Sequence, residues 1–140
     1  MNRVFNVYVL LLIGASLGLS TGCKKDPYSI VELEGVVTFD GQPVQNVTMI
    51  FKPQGDSGKT STAMVTDPAG KFIAAYSVDR KGVKAGDIDV HVGVIDIPSR
   101  SYTANDSGKK AIEQYGYQTP PHVINIVKPD KDYQLELKPR

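Results

Sequence analysis

The chain has 140 residues, with 16 lysines and arginines against 15 aspartates and glutamates, and one cysteine. That length fits a single domain. The balanced charge excludes the basic face that nucleic-acid phosphates require, so no nucleic acid is expected as a partner. The lone cysteine excludes an internal disulfide and is left to pair between chains, stay free or carry a modification.

The first element is the apolar run at 4–19, "VFNVYVLLLIGASLGL". It is short of the about 20 residues that a bilayer-spanning helix needs. Arg3 precedes it, and Ser20, Thr21 and Gly22 follow, which is the layout of a secretory signal. The signal has one basic residue at its start, and Asn6 and Tyr8 interrupt it. An ordinary cleaved signal and an uncleaved anchor are two readings of this stretch. Lys24 and Lys25 oppose an anchor with its amino end inside, because positive charge tends to stay cytoplasmic.

The residues Leu19, Ser20, Thr21, Gly22 and Cys23, "LSTGC", resemble the lipobox of bacterial lipoproteins. The commonest form of that motif has leucine three positions before the cysteine; here Ser20 stands there and Leu19 is one position earlier. The resemblance implies cleavage before Cys23, a diacylated Cys23 thiol (palmitate or a similar chain), and acylation of the new amino group. It divides the chain into a signal peptide at 1–22, an acylated cysteine and linker at 23–30, and a folded domain at 31–140. Two acyl chains suffice for stable anchoring, at about 0.8 kcal/mol per buried methylene. The expected location is the bacterial cell envelope, outside the cytoplasmic membrane, on its periplasmic face or on the outer membrane. Lys24 rather than aspartate follows the cysteine, which in some diderm bacteria permits export to the outer membrane.

After Ser29 the apolar period becomes two, the mark of half-buried strands. Val31, Leu33, Val37 and Phe39 share one parity. Asp40-Gly41 signals a hairpin. Val47, Met49 and Phe51 form the next inward set, and "PQGDSGKTS" at 53–61 is expected to join two strands. "STAMVT" is a weaker strand. Asp67-Pro68-Ala69-Gly70 fits a turn in which Asp67 bonds the turn amides. "KFIAAY" places Phe72, Ala74 and Tyr76 on one face. Gly82 and Gly86 bracket the start of "DIDVHVGVI", where Ile88, Val90, Val92 and Val94 alternate with Asp87, Asp89, His91 and Gly93. The segment Ile97–Pro121 shows no strand. "HVINIV" is ambiguous in parity, Pro129-Asp130 is a break, and "YQLELK" turns Tyr133, Leu135 and Leu137 inward. No segment carries helical periodicity over three turns. Seven short strands with frequent turns predict an antiparallel β-sandwich.

Three stretches, "VELEGVVTFDGQPVQNVTMIFKPQG", "TDPAGKF" and "GVKAGDIDVHVGV", resemble the carboxypeptidase regulatory-like, or transthyretin-like, β-sandwich module. The matching residues are Gly35, Val37, Asp40, Gly41, Pro43, Val44, Phe51, Pro53, Thr66, Asp67, Gly70, Phe72 and Gly86. The order also resembles that of small planctomycete-type lipoproteins, which end like "AIEQYGYQTPPHVINIVKPDKDYQLEL". The resemblance implies an all-β, seven-stranded antiparallel Greek-key sandwich of the prealbumin type. Its motifs define turns and core positions, and a fold does not by itself define an activity.

Candidate chemistry is sparse. Gly58-Lys59-Thr60 resembles the end of a phosphate loop, but Pro53 stands where that loop needs glycine, and the segment opens no predicted helix. "GDSG" resembles the serine motif of chymotrypsin-type proteases, but Lys59 follows it, and His91 and His122 lie in different strands. Asp87, Asp89 and His91 share one strand face and are weak candidates for a metal; solvation of an exposed face is the plainer reading. Tyr102, Tyr115 and Tyr117 in 97–121 are weak candidates for binding contacts, or they pack that segment over a sheet edge. The expected function is that of a non-catalytic, membrane-anchored envelope lipoprotein with a structural or adhesive sandwich, meeting an envelope protein or polysaccharide and using no cofactor. The alternatives are a binding module for carbohydrate, peptide or metal, and a small hydrolase.

Overall fold

Two sheets face each other, as they must when each strand is apolar on one side only. The computed structural model describes residues 29–55 and 59–140. The signal segment, Cys23 and most of the linker lie outside the described residues. In chain order the strands are β1 (Ile30–Val31), β2 (Leu33–Phe39), β3 (Gln42–Pro43), β4 (Val47–Pro53), β5 (Ser61–Val65), β6 (Lys71–Ile73), β7 (Ala75–Ser77), β8 (Arg80–Lys81), β9 (Val83–Lys84) and β10 (Gly86–Val94). A helix, α1 (Asp106–Tyr115), is followed by β11 (His122–Ile126) and β12 (Asp130–Leu137).

The larger sheet has the order β11-β10-β4-β5-β7-β8. In the smaller one β12 and β3 flank β2, and β6 also pairs with β2. The alternation read from the sequence sets the faces. Leu33, Val37, Phe39, Val47, Met49, Phe51, Phe72, Ala74, Ile88, Val90, Val92, Leu135 and Leu137 are all buried. "HVINIV" resolves with Ile124 and Ile126 inward and Val123 and Val127 exposed, since Ile124 pairs with Ile88 and Ile126 with Gly86. "KFIAAY" keeps one inward parity but changes sheets at Ala74. There the Ala74 amide donates to the Leu33 carbonyl, and the Gly82 amide donates to the Ala74 carbonyl.

The turns follow their local chemistry. Asp40 (φ 51°) and Gly41 (φ 75°) form a two-residue hairpin between Phe39 and Gln42. Its second strand lasts only two residues before the chain crosses to the other sheet. In the next turn the Gly70 amide donates to the Asp67 carbonyl, and the Asp67 carboxylate accepts from the Ala69 amide at 2.7 Å. Gly70 has φ 76°, and a Cβ there would lie 2.5 Å from the Val37 carbonyl oxygen, so the position excludes side chains on two grounds. The 53–61 stretch does join two antiparallel strands, β4 and β5.

Two expectations need correction. The sandwich is not wholly antiparallel: β12 runs parallel to β2, with Leu135 opposite Val37 and Leu137 opposite Phe39. β11 and β12 follow each other in sequence but lie in different sheets, so the chain crosses between layers instead of folding back as a hairpin. The second correction is in 97–121, which contains a helix. Asn105 caps it by accepting from the Gly108 amide at 2.8 Å. The same carboxamide accepts from the Gln45 amide and donates to the Pro43 carbonyl. The helix is therefore sewn to the β3–β4 connection by its capping residue. Ala111 and Tyr115, one turn apart, bury its inner face.

Pairing also defines two poles. β1 pairs with β9, so the starts of β2 and β10 lie together, beside Ser29, whose carbonyl accepts from the Ala85 amide. This is the amino pole. At the other end lie the β2–β3 hairpin, the start of β4 and the end of β10, where Val47 pairs with Val94. α1 packs on β10, β2 and β3 and marks this helix pole.

Candidate functional site

Asp87, Asp89 and His91 do share the outer face of β10, as alternation requires. Each is taken by a different neighbour. Asp87 accepts from the Asn125 carboxamide at 2.7 Å, and Asp89 accepts from the Gln54 carboxamide at 2.7 Å. The His91 ring is buried beneath the segment that follows α1. Its Nδ1 lies 3.0 Å from the Gly116 carbonyl oxygen. A carbonyl can only accept, so Nδ1 carries the proton. Among the described residues no three His, Cys, Asp or Glu side chains form a group able to hold a metal ion. The register across β10 thus disperses the three side chains that the sequence brings to one face.

The three tyrosines separate. Tyr115 is buried; its hydroxyl donates to the Lys138 carbonyl at 2.7 Å, and the Arg140 guanidinium lies 4.1 Å from its ring centre. It is a packing residue and not an exposed contact. Tyr102 is half-buried and lies beside the Arg100 guanidinium, whose pKa it raises. Tyr117 alone stays exposed, at 64%. Its ring stacks on His91, with centroids 5.1 Å apart and planes inclined by 23°. The histidine thus serves as a floor that holds an aromatic ring at the surface.

Sequence reading missed a clamp at the carboxyl-terminal end. Arg140 donates to the Pro120 and Pro121 carbonyls at 2.7 and 2.9 Å, while its backbone amide donates to the Gln114 side chain. This ties the final residues to the segment carrying Tyr117. His122 packs edge-on against Tyr115. Burial, and then the nearby Arg140 charge, lower its pKa, so the ring is neutral at neutral pH. The contacts of the two rings are thus the Gly116 carbonyl and Tyr117 for His91, and Tyr115 for His122. Only the basic residue and the two prolines hint at the clamp in the sequence.

An open groove of about 300 Å³ crosses the outer face of the smaller sheet, lined by Glu34, Val36, Lys71, Ile73, Lys131 and Gln134. Lys131 pairs with Glu32 at 2.9 Å, which raises the lysine pKa and lowers that of the carboxyl group. Both partners are exposed, so the pair adds little to stability. Among the described residues no helix is long and apolar enough to cross a membrane, and no buried side-chain nitrogen or oxygen lacks a hydrogen-bond partner. Compared with protein-family models, with curated proteins and with solved structures, the chain gives no match.

Proposed function

We propose that this protein is a lipid-anchored lipoprotein of the bacterial cell envelope, tied to the membrane through acylated Cys23. Its sandwich is non-catalytic and serves a structural or adhesive role toward an envelope protein or polysaccharide. The observation that carries this reading is polarity. Ser29, six positions after Cys23, lies at the amino pole, whereas α1 and its capping loop lie at the opposite pole. A tether at one end leaves the other end and the adjoining Tyr117 side facing away from the membrane. Within that reading the fold is of the prealbumin type. Support comes from Gly35 and Gly70, which meet neighbouring backbone too closely for any side chain, and from Asp40-Gly41 and Asp67, whose roles are those of turn residues.

The anchor is tested by growing cells with a palmitate analogue. Cys23→Ala should abolish the label, and a mutant labelled as strongly as wild type would refute the anchor. The contact surface is tested on purified envelope polysaccharide. Tyr117→Ala should weaken retention several-fold without shifting the unfolding midpoint, since the ring is mostly exposed. This stacked tyrosine also favours a second reading, a carbohydrate-binding module, because sugar rings pack on exposed aromatic faces. Retention unchanged by Tyr117→Ala removes that reading and this contact residue together.

A further inference from the structure

We infer that the amino pole is itself a membrane-docking face, seated on the anionic bilayer surface that holds the lipid. This rests on the anchor proposed above. The first reason is reach. The six steps from Cys23 to Ser29 span at most about 22 Å when fully extended, at roughly 3.3–3.6 Å each. Ser29 is fixed to the amino pole by its bond from Ala85 and by the neighbouring β1–β9 pair. That pole therefore stays within a tether's length of the headgroups at all times.

The second reason is what the pole displays. Val78, at the tip between β7 and β8, is fully exposed, and Val127, just past β11, is 67% exposed. Both sit at this end. Val127 follows Ile126, which pairs with Gly86 at the start of β10. Val78 lies beyond the start of β5, because Ala75 pairs with Thr62 and β7 runs antiparallel to β5. β11 and β7 are four strand spacings apart in the larger sheet, so the valines stand roughly 20 Å apart, at about 4.8 Å per spacing. They form two apolar feet at the corners of one end.

The third reason is charge. Around Val78 lie Lys59, Arg80 and Lys81, while Lys84 lies on β9 beside β1. Lys59 and Arg80 approach the Tyr76 ring to 6.0 and 5.9 Å, and Lys84 pairs with Ile30. Lys128 follows Val127. Hydrogen bonds to neutral groups leave the carboxylates near Val127 charged, so the basic excess lies at the Val78 corner. Glu32 is held by Lys131 and also feels Lys81. Asp87 is held by Asn125, and Asp130 accepts from the Asp132 amide. Asp79 sits in the tip beside Val78. In the linker, Lys24 and Lys25 outweigh Asp26. An apolar tip among basic residues at the Val78 corner suits a surface whose headgroups are anionic.

The test uses the full-length acylated protein in vesicles of phosphatidylcholine and phosphatidylglycerol. Acylation occupies the native thiol, so Val78→Cys, Val127→Cys and Val94→Cys each supply a single site for an environment-sensitive dye. Val94 is exposed at the helix pole and serves as the reference. Quenching by nitroxide-bearing lipid headgroups should be several-fold stronger at 78 and 127 than at 94, with blue-shifted emission. Combining Lys59→Glu, Arg80→Glu and Lys81→Glu should remove most of that difference. The mass of each preparation reports acylation separately. Acylated protein quenched equally at all three positions overturns the docking face and leaves the anchor standing. Protein without acyl chains overturns the anchor, and the docking face with it, since the short tether is what holds this pole to the bilayer.

Discussion

Gly35→Ala should lower the unfolding midpoint by roughly 10–20 °C, corresponding to about 3 kcal/mol, near the upper end of overpacking costs. Gly35 lies on the inward parity of β2, opposite Tyr133 of β12. The register of that parallel pair shifts between Asp130 and Tyr133, and the irregularity brings the Tyr133 carbonyl oxygen to where a β-carbon would be. The carbonyl carbon and the amide nitrogen of Tyr133 are also close, at 2.8 and 3.0 Å. All three contacts are backbone atoms, so no rotamer change relieves the clash. The parallel strand must move, and Leu135 and Leu137 move with it. Gly93→Ala is the control: its β-carbon would meet only the Ile50 methyl at 3.7 Å and the Thr48 carbonyl at 4.0 Å. Thermal or urea unfolding of the two variants side by side checks the difference. Equal midpoints would show that β12 does not pack on Gly35 as described.

Phe51→Ala should cost about 3–5 kcal/mol, the usual range for truncating a fully buried aromatic. Phe51 is 1% exposed at the centre of β4 and meets Phe72 of β6, with ring centroids 5.8 Å apart and planes tilted by 33°. β4 belongs to the larger sheet and β6 pairs into the smaller one, so this contact bridges the two layers. Removing the ring opens a void between the sheets and forfeits an aromatic pair worth about 0.5–1.5 kcal/mol beyond its area. Phe51→Leu keeps most of the volume and should lose markedly less. Urea midpoints of the two variants decide the matter; equal losses would mean that the interlayer space collapses freely around position 51.

Parity was legible in nearly every strand because it depends only on neighbours two residues away. Val47, Met49 and Phe51 turn inward whichever strand lies beside them. Turns were legible for the same reason: Asp67 bonds an amide two positions along its own chain. Pairing partners were not. Nothing local distinguishes a β12 that hairpins with β11 from one that crosses to lie parallel with β2. The helix was obscured because its ten residues include Gly108, a poor helix former, and bury only Gly108, Ala111 and Tyr115. That glycine is there for contact: a β-carbon would lie 2.9 Å from the Gln45 carbonyl. The His91–Tyr117 stack joins residues 26 positions apart, on either side of the end of β10 and α1, so neither side chain signals the other. Asp87 and Asp89 looked like a pair because only their shared face was legible; Asn125 and Gln54, which engage them, come from elsewhere in the chain.

The parallel pairing of β2 with β12 has a mechanical consequence for a chain held at its amino end. Tension between that end and a contact at the helix pole runs lengthwise along β2. On one side β2 is bonded to β12, and on the other to β6 and then β3. Its cross-strand hydrogen bonds lie broadly transverse to the pull, so they are sheared together and share the load. A domain strung in this way resists extension with both flanks of a single strand, whereas a peeling geometry would break the same bonds one after another.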